Sequence, residues 1–407
     1  FGIGVPHWVE DADFQLDYHL RRVRAPEPGS ERQLFDIAQT LAITPFDRHR
    51  SPWEGTLIEG LHEGRAAYVL KLHHATSDGM GVIQLLGHAL RRSREQPPRR
   101  AQKVAAHRRA PLSSVALARS QLLALPQDTA LGLGALWKSV RAQVREPEAT
   151  RKALDYAASA ARMLGGRPVA GSPLFRRRGL SWRFDGIELP LAALKAAARA
   201  VEGSLNDVFL AGLVGGFRRY HEAMGLTLER MPIGFPISLR KEGDPPGGNK
   251  FAGSQYAAPI GEADPIKRVR DIQAFVREIR KEPALDVMVR LMPLLLRLPV
   301  GALVRLTAEF TSAQDAQISN IPGIHEPVYI AGAEVTHFWP FAPVPGCGMM
   351  ITMITHGGRC CIGINSDRAA VSDPELLLGC LRAGLEEMIA LAPAAVKAAP
   401  ASKKVRA

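Results

Sequence analysis

The 407-residue chain is poor in aromatics (6%), has only four cysteines, and holds no long unbroken apolar run. The cysteines are Cys347, Cys360, Cys361 and Cys380; none forms a C-x-x-C pair, and two are adjacent. This excludes the usual zinc spacings and a disulfide framework. Scattered thiols of this kind read as small buried hydrophobes in a reducing, cytosol-like setting. H-E-x-x-H is absent, and so is any internal repeat of about 20–50 residues. The most apolar stretch, Leu291–Leu306, is interrupted by Pro293, Arg297, Pro299 and Arg305. It falls short of the ~20 clean apolar residues of a spanning helix and reads as an interfacial or buried one.

What is present suffices for a large core. The chain is 46% hydrophobic and 23% charged, ordinary values for a globular protein. Its length allows two or three domain-sized units. The net charge is +12. Residues 91–178 carry 19 Lys/Arg against 5 Asp/Glu, so this one segment holds the whole excess and the rest is near neutral. A basic segment suits polyanions, an anionic lipid surface or nucleic acid. Aromatics are sparse there (Trp137, Tyr156, Phe175) and no recognition motif is visible, so nucleic acid is not expected. A solvated crossover is the plainer alternative.

Residues 66–72 alternate as a strand, and Val82, Ile83, Leu85, Leu86, Ala89 and Leu90 fall at helical spacing. Between them lies a short polar loop. Residues 91–110 have the prolines and like charges of a linker. Helices are expected near 111–165, 191–201, 206–220 and 373–391, and strands near 181–184, 328–330, 349–354 and 360–364. Asn206 or Ser204 is the expected N-cap of the helix over 206–220. This order describes a mixed α/β protein. Its divisions are a first lobe over 1–90, a basic helical crossover over 91–178, a second lobe over 179–392 and a disordered tail over 393–407.

The loop reads His73-His74-Ala75-Thr76-Ser77-Asp78-Gly79, an H-H-x-x-x-D-G pattern. A neutral imidazole near pH 7 can take a proton from a hydroxyl and later return it. Asp78 can fix the loop, and Gly79 lets the backbone turn into the helix. Adjacent histidines on extended backbone point to opposite faces, which suits joint metal ligation poorly.

With its flanks, the pattern resembles the bacterial wax ester synthase/acyl-CoA:diacylglycerol acyltransferases, within the superfamily of chloramphenicol acetyltransferase and the condensation domains. Asp47–Glu54 is similar to that family's D-R-x-R-P-L-W-E stretch, with Ser51-Pro52 where the family prefers Pro-Leu. Asn206–Ala211 resembles N-D-V-V-L-A, Pro236–Arg240 resembles P-x-S-x-R, and Ser319–Gly323 resembles S-N-V-P-G-P, with Ile324 in place of the last proline. The likeness runs from about Trp8 to Leu391 and is weakest over 91–170. It implies a further stretch ahead of Phe1, supplying the first strand of the first lobe.

The resemblance implies two chloramphenicol-acetyltransferase-like lobes with mixed sheets and an active-site tunnel between them. It implies a long-chain acyl transfer from acyl-CoA to diacylglycerol or a fatty alcohol, with no cofactor and no metal. His74 matches the general base, His73 its neighbour, and Asp78 a mostly structural acid. Arg240 is the candidate ion-pair partner of Asp78; a solvated surface charge is the alternative. Gly79, Asn206, Asp207, Ser319 and Asn320 are the expected substrate-side residues. Asn206 and Asp207 also read as a simple helix cap, and Ser319-Asn320 as part of a turn. Trp53 reads as packing. The implied setting is cytoplasmic, peripheral to a membrane or lipid droplet. A condensation-like enzyme using carrier-protein thioesters and a catalytically silent droplet-coat protein are the competing readings.

Overall fold

A computed structural model describes residues 13–95, 147–165, 169–238, 251–296 and 298–393, with a few isolated positions besides. Most of the basic crossover, Arg240, Arg297 and the tail from residue 394 lie outside the described residues.

The first lobe carries a three-stranded sheet of β1 (Leu20–Arg24), β2 (Trp53–Leu61) and β3 (Arg65–Leu72), in that order. β1 runs parallel to β2, and β2 antiparallel to β3. The helix Glu31–Ile43 links β1 to β2. Ser30 starts it with a capping box, its hydroxyl accepting from Gln33 N while the Gln33 side chain accepts from Ser30 N.

The second lobe is built on a six-stranded mixed sheet. Its strands are β4 (Trp182–Pro190), β5 (Met231–Ser238), β6 (Phe251–Ala258), β7 (Ala316–Ile321), β10 (Met349–His356) and β11 (Arg359–Asp367), in the order β4-β11-β10-β7-β5-β6. A two-residue hairpin, β8 (Tyr329–Ile330) with β9 (Ala333–Glu334), lies between β7 and β10 in the chain. The sheet is parallel where β7 meets β10 and β5, and antiparallel elsewhere.

Alternation gives this sheet two unlike faces. Ile318, Met349, Ile351, Met353 and Ile362 face a core closed by the helices Leu191–Ala200, Leu205–Ala223 and Pro374–Ala390. The last two helices approach so closely that a Cβ on Gly384 would lie 2.3 Å from Gly212 O. Only glycine fits there. The other face, with Gln317, Ser319, Met350 and Thr352, turns toward the first lobe and a cavity.

The lobes are clasped at several points. Phe35 of the helix Glu31–Ile43 packs edge-on against Trp339 and Phe341, and Phe341 stacks on Phe184 at 4.0 Å. Arg32 pairs with the buried Asp185 of β4 at 2.7 Å. Just past the first lobe, Arg91 exchanges backbone hydrogen bonds with Tyr329 of the second.

One sequence expectation shifts, and one is narrowed. The apolar stretch Leu291–Leu306 is divided between two helices, Val287–Leu295 and Val300–Ser312, with Pro299 as N-cap of the second. Proline lacks the N–H that a continuous helix needs at that point. Among the described residues no helix is long and apolar enough to cross a membrane. Of the two N-cap candidates for the helix Leu205–Ala223, Ser204 and Asn206, the structure uses Ser204.

Candidate active site

β3 delivers His73 and His74 directly into the loop before the helix Gly79–Ala89. The loop is held by its own polar groups. His73 N donates to Pro52 O at 3.0 Å, and Thr76 donates to His73 O through N (2.9 Å) and Oγ1 (2.7 Å). Ala75 N donates to His73 Nδ1 at 3.1 Å. That bond makes Nδ1 an acceptor, so a neutral His73 carries its proton on Nε2. The ring also meets Phe46 edge-on at 6.0 Å. His73 therefore shapes the loop, while the exposed His74 opens on the cavity.

Asp78 ends the loop. It is 8% exposed, and its Oδ1 accepts from Gly81 N at 2.9 Å as N-cap of the helix that follows. Gly79 faces the second lobe. A Cβ there would lie 2.5 Å from Ile321 Cδ1, so a side chain at this position would require the end of the Ile321 side chain to shift.

The cavity between the lobes is about 2990 Å³, well above the ~300–1,000 Å³ of an ordinary small-ligand pocket. His73, His74, Asp78 and Gly79 line it from one side, Ser319 and Asn320 from the other. Six of the expected site residues thus meet at one space. The wall is mainly aliphatic and aromatic, with Leu291, Leu303, Trp182 and Phe184 among its members. That suits long hydrocarbon chains.

Asn206 and Asp207 are not brought to this space. They lie in the first turn of the helix Leu205–Ala223, where the Asp207 carboxylate accepts from Ser204 N at 2.8 Å and Ser204 Oγ accepts from Asp207 N at 3.2 Å. That capping box is the simple-cap alternative of the sequence reading. Trp53 stacks on His19 at 4.6 Å and accepts a 2.7 Å bond from its Nδ1, a packing role. The partner expected for Asp78, Arg240, lies outside the described residues.

No group of three or more His, Cys, Asp or Glu is placed to hold a metal among the described residues. Burial pushes the thiols of Cys347 and Cys361 up to about 11 and that of Cys360 to about 12. They are packing groups rather than nucleophiles. Sequence reasoning did not single out Gln317, Thr352 and Asn365, which also line the cavity. The available signal was slight: Gln317 lies two residues before Ser319 in β7, and Thr352 and Asn365 are polar residues within largely apolar strands.

A family model described as the wax ester synthase/diacylglycerol acyltransferase catalytic domain matches residues 1–209, and the corresponding C-terminal domain matches residues 247–389. A protein of Mycobacterium tuberculosis H37Rv that bears the name of a diacylglycerol O-acyltransferase is 39% identical over 394 residues, 95% of this chain and 79% of that protein. The wax ester synthase/diacylglycerol acyltransferase structure from Marinobacter aquaeolei VT8 superposes with a TM-score of 0.63 at 20% identity, over 95% of this chain and 83% of that one. The first condensation domain of the calcium-dependent antibiotic synthetase shares the fold more loosely, with a TM-score of 0.51 at 15% identity over 93% and 80%. The chain is an acyltransferase and belongs to the wax ester synthase/diacylglycerol acyltransferase family.

Proposed function

We propose that the chain moves a long-chain acyl group from acyl-CoA to the hydroxyl of diacylglycerol or of a long-chain alcohol, with His74 as general base. The observation that carries this reading is the opening of His74 onto a large, mainly apolar cavity that Ser319 and Asn320 line from the other lobe.

His74 takes the hydroxyl proton as the oxygen attacks the thioester carbonyl. A tetrahedral oxyanion forms, and the hydroxyl of Ser319, on the cavity face of β7, stabilises it. Collapse breaks the carbon–sulfur bond, and the CoA thiolate takes the proton back from His74. No covalent acyl-enzyme is needed. His73 orients the loop rather than moving the proton, which agrees with the use of its Nδ1 by Ala75 N. Asp78 holds the base in place through the helix cap.

Peripheral contact with a lipid surface is part of the same reading. It is supported by Val300 and Val304, 53% and 56% exposed on a helix whose Leu303 and Thr307 line the cavity. The basic 91–178 segment would add attraction to CoA phosphates or anionic lipid.

The test is product analysis. Palmitoyl-CoA is supplied with dioleoylglycerol or with hexadecanol, and the lipid extract is separated. Triacylglycerol or wax ester that forms only when acceptor is present supports the reading. Absence of both products contradicts it.

A further inference from the structure

Within the basic crossover, the helix Pro147–Gly165 is fastened to the second lobe along one face. Tyr156, Ser159, Ala160 and Met163 share that face by their spacing, and they are its partly or fully buried residues on a helix that is otherwise mostly exposed. Tyr156 Oη donates to Asp286 Oδ1 at 3.3 Å, and Ala284 N donates to the buried Ser159 Oγ at 2.9 Å. Arg162 donates twice to the Glu282 carboxylate, at 2.9 and 2.8 Å. As the helix advances from residue 156 to 162, its partners step back from 286 to 282. Met163, next in this series, reaches the cavity between the lobes, as do Leu285 and Met288.

The arm of the cavity on this side has a floor of small residues and an apolar roof. Gln317 of β7 is the Cα partner of Gly234 on β5, and Pro236, two residues on, is that of Gly253 on β6. Gly234 and Pro236 line the cavity and alternate with Ile233 and Phe235 of the core. The floor therefore leads away from the strand of Ser319 across two strand spacings, ~10 Å. Over it lies the helix Val287–Leu295, which packs on β6. Its Met288, Leu291, Met292 and Leu295 line the cavity at i, i+3, i+4 and i+7, an apolar stripe ~10 Å long. Methionine side chains are unbranched and fit irregular shapes. Met163, Met288 and Met292 thus suit a flexible hydrocarbon chain better than a rigid ligand.

The reaction centre decides which substrate lies in this arm. The acceptor hydroxyl meets His74 on the first lobe, whereas the thioester carbonyl meets the Ser319 hydroxyl on β7. The chain attached to that carbonyl then continues over the second-lobe sheet, past Gln317 to Gly234.

We propose that this arm holds the hydrocarbon of the acyl donor, and that Met163 of the crossover helix forms its end wall and limits the acyl-chain length. This rests on the acyltransferase reading above and adds the donor-length determinant to it.

The quantity read is the ratio of kcat/KM for arachidoyl-CoA to kcat/KM for lauroyl-CoA, with the better of hexadecanol and dioleoylglycerol as acceptor. Met163→Trp fills the end of the arm and is expected to lower the ratio about tenfold, the scale of one methylene too many in an apolar pocket. Met163→Ala is expected to raise it. The ratio for long over short acceptors with palmitoyl-CoA (eicosanol over dodecanol, or dioleoylglycerol over dilauroylglycerol) is expected to hold in both variants. A donor ratio that holds in Met163→Trp, or an acceptor ratio that moves in its place, overturns the end wall while leaving the acyltransferase reading intact. Leu291→Trp narrows the same arm from its roof and gives the same test if Met163→Trp fails to fold. A wild-type protein with no turnover on either acceptor removes the acyltransferase reading, and the end wall with it.

Discussion

Gly79 of the first lobe and Ile321 of the second meet across the cleft, where a Cβ on Gly79 would lie 2.5 Å from Ile321 Cδ1 and 3.0 Å from its Cγ1. The loop that carries His74 is thereby set against the strand that carries Ser319 and Asn320. A side chain at position 79 would press on the Ile321 side chain from the loop side.

Gly79→Val should push the loop away from β7. Overpacking of this kind costs ~1–3 kcal/mol, and turnover should fall further than stability because the two halves of the site separate. Ile321→Ala in the same chain should restore part of both. Strictly additive losses in the double-mutant cycle, followed by denaturation and turnover, would contradict a direct contact.

Asp78 acts as an N-cap whose Oδ1 accepts from Gly81 N. Asp78→Ala should lower stability by ~1 kcal/mol, and Asp78→Asn, which keeps an acceptor oxygen, by clearly less. Urea denaturation separates the two. Equal losses would mean that the charge of Asp78 matters more than the cap.

Burial pushes the carboxyl of Asp315 up to about 6, against the stabilising bond that its Oδ2 accepts from Ser172 N at 2.7 Å. Its unfolded value is ~3.9. The folded state thus holds the proton more tightly, and this group's stabilising contribution is fully present below about pH 4 and lost as pH rises through about 6. Asp315→Asn cannot ionise. Wild type should therefore lose up to about 3 kcal/mol relative to the variant between pH 4 and pH 7. Denaturation midpoints at both pH values check this, and a difference that does not change with pH would contradict it.

Much of this was legible in the sequence because it is local. The change of period between residues 66–72 and 82–90 marks a strand and a helix, and the polar residues between them mark a loop; the structure has β3, that loop and the helix Gly79–Ala89. The strands near 349–354 and 360–364 and the final helix were equally plain, since their apolar faces are buried on one core. What was hidden depends on partners distant in the chain. Arg32 and Asp185 are 153 residues apart, and no spacing rule joins them. Thr352 and Asn365 look like ordinary polar strand residues until register places them beside Ser319 and Met350. Asn206 and Ser204 are both good caps by propensity, and only the bond from Asp207 N to Ser204 Oγ decides between them.

The central claim is that His74 moves the proton. The most direct test is CoA thiol release from palmitoyl-CoA in the presence of dioleoylglycerol or hexadecanol, for the wild-type chain and His74→Ala, with thermal unfolding recorded for both. The account predicts acceptor-dependent release that falls ~10²–10⁴-fold in the variant with an unchanged melting transition. Release that survives in a folded His74→Ala variant would contradict it and would assign the base to another residue of the cavity.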